Sequence, residues 1–156
     1  MTAPHTGSAG RNPSARAVPA GLAADLDNLL RSATEEAARL LGADGAMLYL
    51  LDPSTERLRF THDAGIDSLG EDHWLRTHEL AMGIGLFGRA VDERRVVVTD
   101  DYIADTTFVH AGPTDRFVEE VGIRSMVVAP MVAGGEVFGA LGVFAGGQCA
   151  FTAPQV

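Results

Sequence analysis

The chain has 156 residues, of which 46% are hydrophobic and 21% charged, a balance typical of a soluble globular protein and not of a disordered one. Its formal net charge of −9 would repel phosphate backbones and anionic lipid, so we expect no binding to nucleic acid or to a membrane surface. The single cysteine excludes an internal disulfide and a cysteine-rich metal site, and it favours a reducing, cytoplasmic location.

The chain begins with a stretch that lacks helical or strand periodicity. Residues 1–20 are rich in Thr, Pro, Gly, Ser, Ala and Arg, without the apolar run of a signal peptide, so we expect a flexible tail. From residue 22, apolar residues then recur at helical spacing as far as Leu41, and Gly42 provides a stop. The apolar stripe of this predicted amphipathic helix is Leu22, Leu26, Leu29, Leu30, Ala33, Ala37 and Leu40.

Two strand-like segments follow the helix. Residues 46–51 are apolar on both faces, as in a central strand, and Asp52-Pro53-Ser54-Thr55 is typical of a turn. Residues 57–63 alternate, which places Leu58, Phe60 and His62 on one face. The pattern predicts a hairpin.

The middle of the chain predicts short elements. We expect helices over about 68–76, 86–93 and 115–121, and a strand over 96–99.

The clearest hairpin lies near the carboxyl end. Residues 124–133 and 137–145 flank Gly134-Gly135, where two glycines tolerate positive φ. Pro130 indicates a bulge or an edge position, because proline cannot donate to the ladder. Antiparallel pairs with helices before and between them predict an α+β fold with a central antiparallel sheet of five to six strands. Residues 151–156 are typical of the entry to a closing helix, with Thr152 as N-cap.

Gly83-Ile84-Gly85-Leu86-Phe87-Gly88 matches the G-x-G-x-x-G pattern of dinucleotide-binding proteins. That site requires a strongly apolar strand before the glycines and a long helix after them. Here Thr77-His78-Glu79-Leu80 precedes the glycines, and only about eight helical residues follow. The context argues against a dinucleotide site.

Four segments together carry a family resemblance: residues 82–91, 96–101, 123–131 and 135–143. In this succession the chain resembles a GAF domain, the small-ligand sensing module of bacterial signalling proteins such as sensor histidine kinases. The resemblance implies a GAF/PAS-like fold over residues 21–156, apparently truncated before its last helix. It also implies a ligand pocket on one face of the sheet, roofed by residues 68–90 and 101–121.

The resemblance implies a function in signalling. A small molecule would bind in the pocket and change the terminal helices, and the output would belong to a histidine kinase or phosphatase module of a two-component system outside this chain. The pocket candidates, which would supply an apolar aromatic wall and one polar contact, are Phe87, Tyr102, Phe108, His110, Met126 and Val128. We also expect a homodimer through the apolar stripe of the first helix.

Two other functions remain open. One is a ligand-free dimerisation scaffold whose pocket is filled by side chains. The other is the free methionine sulfoxide reductase activity found on this fold, which requires a reactive thiolate in the pocket. Cys149 follows the last strand, so we interpret it as an incidental thiol, and no catalytic arrangement is recognisable elsewhere. We therefore expect no enzyme activity.

The cofactor is not fixed by the sequence. Haem-binding relatives use a histidine just before the Arg-Ser strand, but this chain has Glu119 and Glu120 there and its nearest histidine, His110, lies farther upstream. Haem is thus possible but disfavoured. Bilin-binding relatives attach the pigment through a cysteine, commonly beside a histidine, and Cys149 has no such neighbour. The Asn-Lys-x-x-Phe-Asp pattern of cyclic-nucleotide relatives is absent, since the chain has no lysine.

No metal site is predicted. His73 and His78 are five residues apart, unlike the i, i+4 pair of a zinc helix. Asp100, Asp101 and Asp105 are compatible with a cation site, but carboxylates at this spacing are more often explained by a helix N-terminus.

Overall fold

The computed structural model describes residues 19–67, 69–148 and 150–151. Three α-helices, one short 3₁₀ helix and six strands are formed by these residues. In chain order they are α1 (Ala20–Leu40), β1 (Gly45–Asp52), β2 (Arg57–Ala64), the 3₁₀ helix (Trp74–Arg76), β3 (Glu79–Ala81), α2 (Gly85–Glu93), β4 (Val97–Thr99), α3 (Gly112–Val121), β5 (Ser125–Ala133) and β6 (Glu136–Ala145).

The six strands form one sheet in the order β3-β2-β1-β6-β5-β4, and every neighbouring pair is antiparallel. The predicted α+β class and antiparallel sheet are confirmed. Gly134 and Gly135 both have positive φ at the β5–β6 turn, as expected. Pro130 lies beyond the last β5 residue that pairs with β4, and a register shift follows at Met131 and Val132. Both expectations for this proline are therefore met.

The prediction that Leu58, Phe60 and His62 share one face of β2 is wrong. Tyr49 pairs with Phe60 but the preceding residue of β1, Leu48, pairs with His62, so Thr61 is an extra residue in the ladder. This bulge turns His62 to the opposite face of the sheet.

The segment between β2 and α2 also differs from expectation. The predicted helix over 68–76 is reduced to the single 3₁₀ turn Trp74–Arg76, and the short strand β3, which pairs with β2, was not expected. Helix α2 lies where the pattern placed it, whereas α3 begins three residues earlier than expected, at Gly112, because Pro113 suits a first helical turn.

The two faces of the sheet carry two separate cores. On the front face, large side chains of the sheet pack against α2, α3 and the loop residues 100–111 in one cluster. On the back face, small residues of β1, β5 and β6 pack against the carboxyl-terminal half of α1, chiefly Ala38, and against Phe151. The sheet thus separates a thick aromatic layer from a thin aliphatic one.

Helix α1 is only partly attached to the back face. Thr34 and Ala38 are its buried residues, whereas Leu22, Leu26, Leu29 and Leu40 are 58%, 51%, 65% and 71% exposed. The apolar stripe expected from the sequence is therefore divided between a sheet-facing row and an outward row.

No helix in the described part of the chain is both long and apolar enough to span a membrane. The expectations for the tail up to residue 18, for Cys149 and for the helix entry at Thr152 concern residues outside those that the structure describes.

Candidate functional site

Five of the six pocket candidates lie in the front core. Phe87 comes from α2, Tyr102 and Phe108 from the loop after β4, and Met126 and Val128 from β5, and all five are buried. Val127, between the last two, belongs to the back core, as the alternation of a strand requires. The sequence thus selected residues of one layer from three separate elements.

The aromatic rings of this layer pack in two groups. Phe87 lies against Tyr49 of β1, with ring centroids 4.5 Å apart, and Tyr102 lies 5.0 Å from Phe108. His110 stacks on Phe108 at 4.3 Å and meets Tyr102 edge-on at 5.5 Å. Such ring pairs add to the stability that burial alone provides.

Phe87 reaches the sheet because β6 has a glycine beneath it. A Cβ at Gly142 would lie 2.5 Å from the Phe87 ring, closer than atoms can approach without displacement. Gly142 therefore creates the hollow that Phe87 fills, and it fixes the inward orientation of that ring.

The layer also contains two tyrosine hydroxyls. Burial raises the pKa of Tyr49, and the neighbouring Tyr102 raises it further. Burial and the negative charge of Asp115 raise the pKa of Tyr102 as well. Both phenols are neutral at physiological pH and can donate or accept a hydrogen bond. Sequence reasoning missed Tyr49, although a single tyrosine within an aliphatic central strand is a signal for it.

His110 differs from the other candidates because it lies at the edge of the layer and is partly exposed. Its Nδ1 is 3.0 Å from Asp115 Oδ1 and its Nε2 is 2.6 Å from the Asp105 carbonyl oxygen. Burial opposes its charge, but these two acceptors outweigh that effect and the pKa of His110 is raised. The ring therefore links the loop to the first turn of α3, and both of its nitrogens are occupied.

A second polar group in the roof was also missed by the sequence analysis. Thr114, in the first turn of α3, is 8% exposed, and its hydroxyl has no hydrogen-bond partner among the residues that the structure describes. Thr114, Phe117 and Val118 are the buried residues of α3, so the hydroxyl lies on the inward side of the helix.

Two of the three aspartates near the start of the loop are bound within the protein, whereas Asp100 is exposed. Asp101 accepts hydrogen bonds from Arg124 and Gln148, and Asp105 accepts them from Thr99 and Thr107. No helix begins at these residues, so the helix-terminus explanation is wrong for them. No group of three or more His, Cys, Asp or Glu side chains in the described ranges is arranged to hold a metal.

Several open cavities lie on the two sides of the sheet. One of about 500 Å³ is lined by residues 101, 103, 104, 119 and 122–124, and one of about 290 Å³ runs along α3 from Pro113 to Glu120 beside Trp74. A third, of about 460 Å³, separates the amino-terminal half of α1 from the back of the sheet. None of these three is lined by the six candidates.

Three solved structures share this fold at low sequence identity. The GAF domain of an Acinetobacter phosphoenolpyruvate-protein phosphotransferase superposes with a TM-score of 0.65 at 18% identity, over 83% of this chain and 72% of its own. Free methionine-R-sulfoxide reductase from Neisseria meningitidis gives 0.63 at 18% identity, over 85% and 71%. NreA from Staphylococcus aureus, mutated in its nitrate binding site, gives 0.63 at 14% identity, over 86% and 94%.

Sequence comparison adds the family. No curated protein matches the chain. The family model that describes the GAF domain, however, matches residues 23–156, which is most of the chain. The protein therefore belongs to the GAF domain family.

Proposed function

We propose that this chain is a sensory domain that binds a small molecule in the front layer and signals through α1 to an effector module outside it, such as a histidine kinase or phosphatase. The observation that carries the proposal is the pair of buried, neutral hydroxyls, Tyr49 and Tyr102, within an otherwise apolar aromatic layer. Small-ligand sites combine an apolar wall with a few polar groups in this way.

The roof of the layer is suited to movement. Residues 100–111 contain no helix and no strand, and they hold Tyr102, Phe108 and His110 over the sheet. Because side chains fill the layer, a ligand would enter by displacing them, and the roof would move with it. A change in the roof is the event that such a domain would report.

The related structures suggest which small molecules to test as ligands, and one of them supports an effector module outside this domain. One relative is described by a nitrate binding site, one acts on free methionine sulfoxide, and one is the GAF domain of a larger phosphotransferase. Nitrate and free methionine sulfoxide are therefore the first molecules to test.

The test begins with freshly purified protein. Native mass spectrometry should detect a retained small molecule, or thermal unfolding should shift with one of the two probes, and Tyr102→Phe should weaken that response because it removes one hydroxyl. Tyr102→Phe keeps the ring and hence the packing. Protein that retains nothing and responds to neither probe would favour the ligand-free scaffold.

We infer that the signal passes to the effector module through the exposed apolar residues of α1, which form its outward row. Leu22, Leu26, Leu29, Ala33 and Leu40 follow the four-and-three spacing of a coiled-coil seam, and all of them are exposed. A second copy of α1 is the natural cover for this row, so we propose a parallel or antiparallel homodimer through it.

Sedimentation decides this second point. Leu26→Glu with Leu29→Glu should convert a dimer into a monomer at micromolar concentration. Ala24→Glu with Asn28→Glu adds the same charges to exposed positions away from both rows of α1 and serves as the control. A wild-type monomer, or a dimer that is insensitive to the leucine substitutions, would contradict the proposal.

We also propose that the chain is not itself catalytic. The reductase activity of one relative depends on thiol chemistry, and this chain has a single cysteine, Cys149. An assay with free methionine-R-sulfoxide and a dithiol reductant should show no turnover. Turnover that is lost in Cys149→Ser would establish the reductase instead.

A further inference from the structure

The amino terminus of α3 has an unusual set of free donors. The residue at the N-cap position is Ala111, which makes no side-chain hydrogen bond to the helix, and the second helical residue is Pro113, which has no N–H. At this position most helices have Ser, Thr, Asp or Asn, whose oxygen accepts from the second or third helical N–H. Here the third helical residue is Thr114, and alanine offers no acceptor to it.

The Thr114 hydroxyl is an independent indication that the first turn of α3 lacks a hydrogen-bond acceptor. It is buried, it lies in the same turn, and within the described residues it has no hydrogen-bond partner. A buried hydroxyl without a partner costs free energy, and a bound group that accepts from it would offset that cost. Thr114 therefore has an O–H, and the uncapped turn an N–H, for which the described residues supply no acceptor.

The surroundings determine the chemistry of that acceptor. The helix dipole places partial positive charge at this end of α3. His110, two residues before the helix, lies between Asp115 and the Asp105 carbonyl, and in its cationic form it donates to both of them. That cation offsets the negative charge of Asp115, which otherwise opposes an anion here. The free backbone N–H groups of this turn are donors, the Thr114 hydroxyl can donate as well, and donors at a helix amino terminus select negatively charged oxygen.

Access to the turn is provided by a cleft on the neighbouring side of α3. The cavity of about 290 Å³ begins at Pro113 and is lined further along α3 by both Arg116 and Glu120. The side chain between this cavity and the front core is Phe117, which is buried. A ligand of a few atoms can therefore reach Pro113, in the first turn of the helix, through this cleft.

We propose that the first turn of α3 binds a small oxyanion, whose oxygen takes the place of the missing N-cap side chain and accepts from the N–H and O–H of Thr114. This inference rests on the proposed function, because it names the class of ligand that the front layer and its roof would sense. It also assigns Thr114, a residue that no sequence pattern marked, as a direct ligand contact.

The probes are nitrate, formate and inorganic phosphate, each compared with chloride at equal ionic strength. At least one of them should raise the melting temperature of the wild type and shift the amide resonance of Thr114. Thr114→Val keeps the shape and removes the hydroxyl, so the dissociation constant should rise by about tenfold or more. Thr114→Ser should retain most of the response.

Two further variants separate a ligand contact from a structural role. Ala111→Ser supplies the internal acceptor, so it should raise the melting temperature without any probe and also weaken the binding of the oxyanion. Thr34→Val changes another buried helical threonine, whose hydroxyl is already bonded to Leu30 O at 2.7 Å, and it should leave the response to the probe unchanged.

Several results would overturn the inference. A fall of several degrees in the melting temperature of Thr114→Val without a probe would mean that the hydroxyl has a partner within the protein. The absence of any response of the wild type to the three oxyanions would mean that the turn binds none. If the wild type does not respond to the oxyanions but retains a different small molecule on purification, the proposed sensory function stands and only the oxyanion site is excluded. If it retains no molecule, both proposals are contradicted.

Discussion

The two faces of the sheet are covered in different ways. The front is closed by large rings from α2, α3 and the loop after β4, which pack on rings of the sheet such as Tyr49. The back is covered by α1 and Phe151, and α1 packs small residues on the sheet only in its second half, while its first half contacts the sheet through Asp27 and His62. Packing on the front face should therefore respond to any change in side-chain shape, whereas the first half of α1 on the back face can move. The proposed sensory function requires both properties.

The front face should show the largest response to truncation. Phe108→Ala and Met126→Ala each remove a large buried side chain, and each should lower the free energy of unfolding by ~2–4 kcal/mol. Val127→Ala, the neighbour of Met126 that faces the back, should cost clearly less. Urea unfolding measures all three, and equal losses at positions 126 and 127 would mean that the two cores do not differ as described.

A substitution in the opposite direction tests the fit between Phe87 and the sheet. Gly142→Ala places a methyl group against the Phe87 ring, and overpacking of this kind costs ~1–3 kcal/mol. Phe87→Leu removes the part of the ring that collides, so the double variant should lose less than the sum of the two single changes. Additive losses would show that Phe87 does not rest on Gly142.

The division of the molecule into two faces was largely visible in the sequence, because strands alternate and the strand pairs have clear turns. Met126 and Val127 fall on the faces that alternation assigns to them. The reversal of His62 was not visible, since a bulge at Thr61 depends on how two strands pair and not on either strand alone.

The candidate site was predictable to the same extent. The family resemblance places the elements of the pocket candidates over one face of the sheet. Five of them do lie together in the front core, namely Phe87, Tyr102, Phe108, Met126 and Val128. Whether they line a ligand site remains a prediction. Thr114 could not be found, because an unpartnered hydroxyl is a property of three-dimensional surroundings and threonine is common at helix starts.

On the back face, a polar contact between described residues joins the first half of α1 to the sheet. His62, turned inward by the bulge, has its Nε2 2.8 Å from Asp27 Oδ1, and its Nδ1 is 3.0 Å from the Thr61 hydroxyl. We expect Asp27→Ala to increase the amide hydrogen exchange of residues 22–30 while residues 34–40, which pack on the sheet, change little. The control is Asp25→Ala, an exposed carboxylate on the same turn. Protection that stays the same in Asp27→Ala would show that the helix is held by packing alone.

The smallest expected effect is a dependence on pH at the front roof. Neutral His110 can donate to only one of its two acceptors, the Asp115 carboxylate and the Asp105 carbonyl, whereas the cation donates to both. Its pKa is raised in the folded protein, so its contribution to stability is complete below the ordinary histidine pKa of about 6.5 and is lost as pH rises through the folded value.

The wild type and His110→Gln should therefore differ most in the free energy of unfolding below about pH 6.5, and the difference should shrink toward alkaline pH. Urea titrations of both proteins across this range measure the difference directly, and the other titrating groups are shared by the two chains and cancel. A difference that is constant with pH would mean that His110 holds the roof by stacking on Phe108 and not by its charge. A difference that follows this pH dependence would show that the roof is held by a proton-dependent link between His110 and its two acceptors.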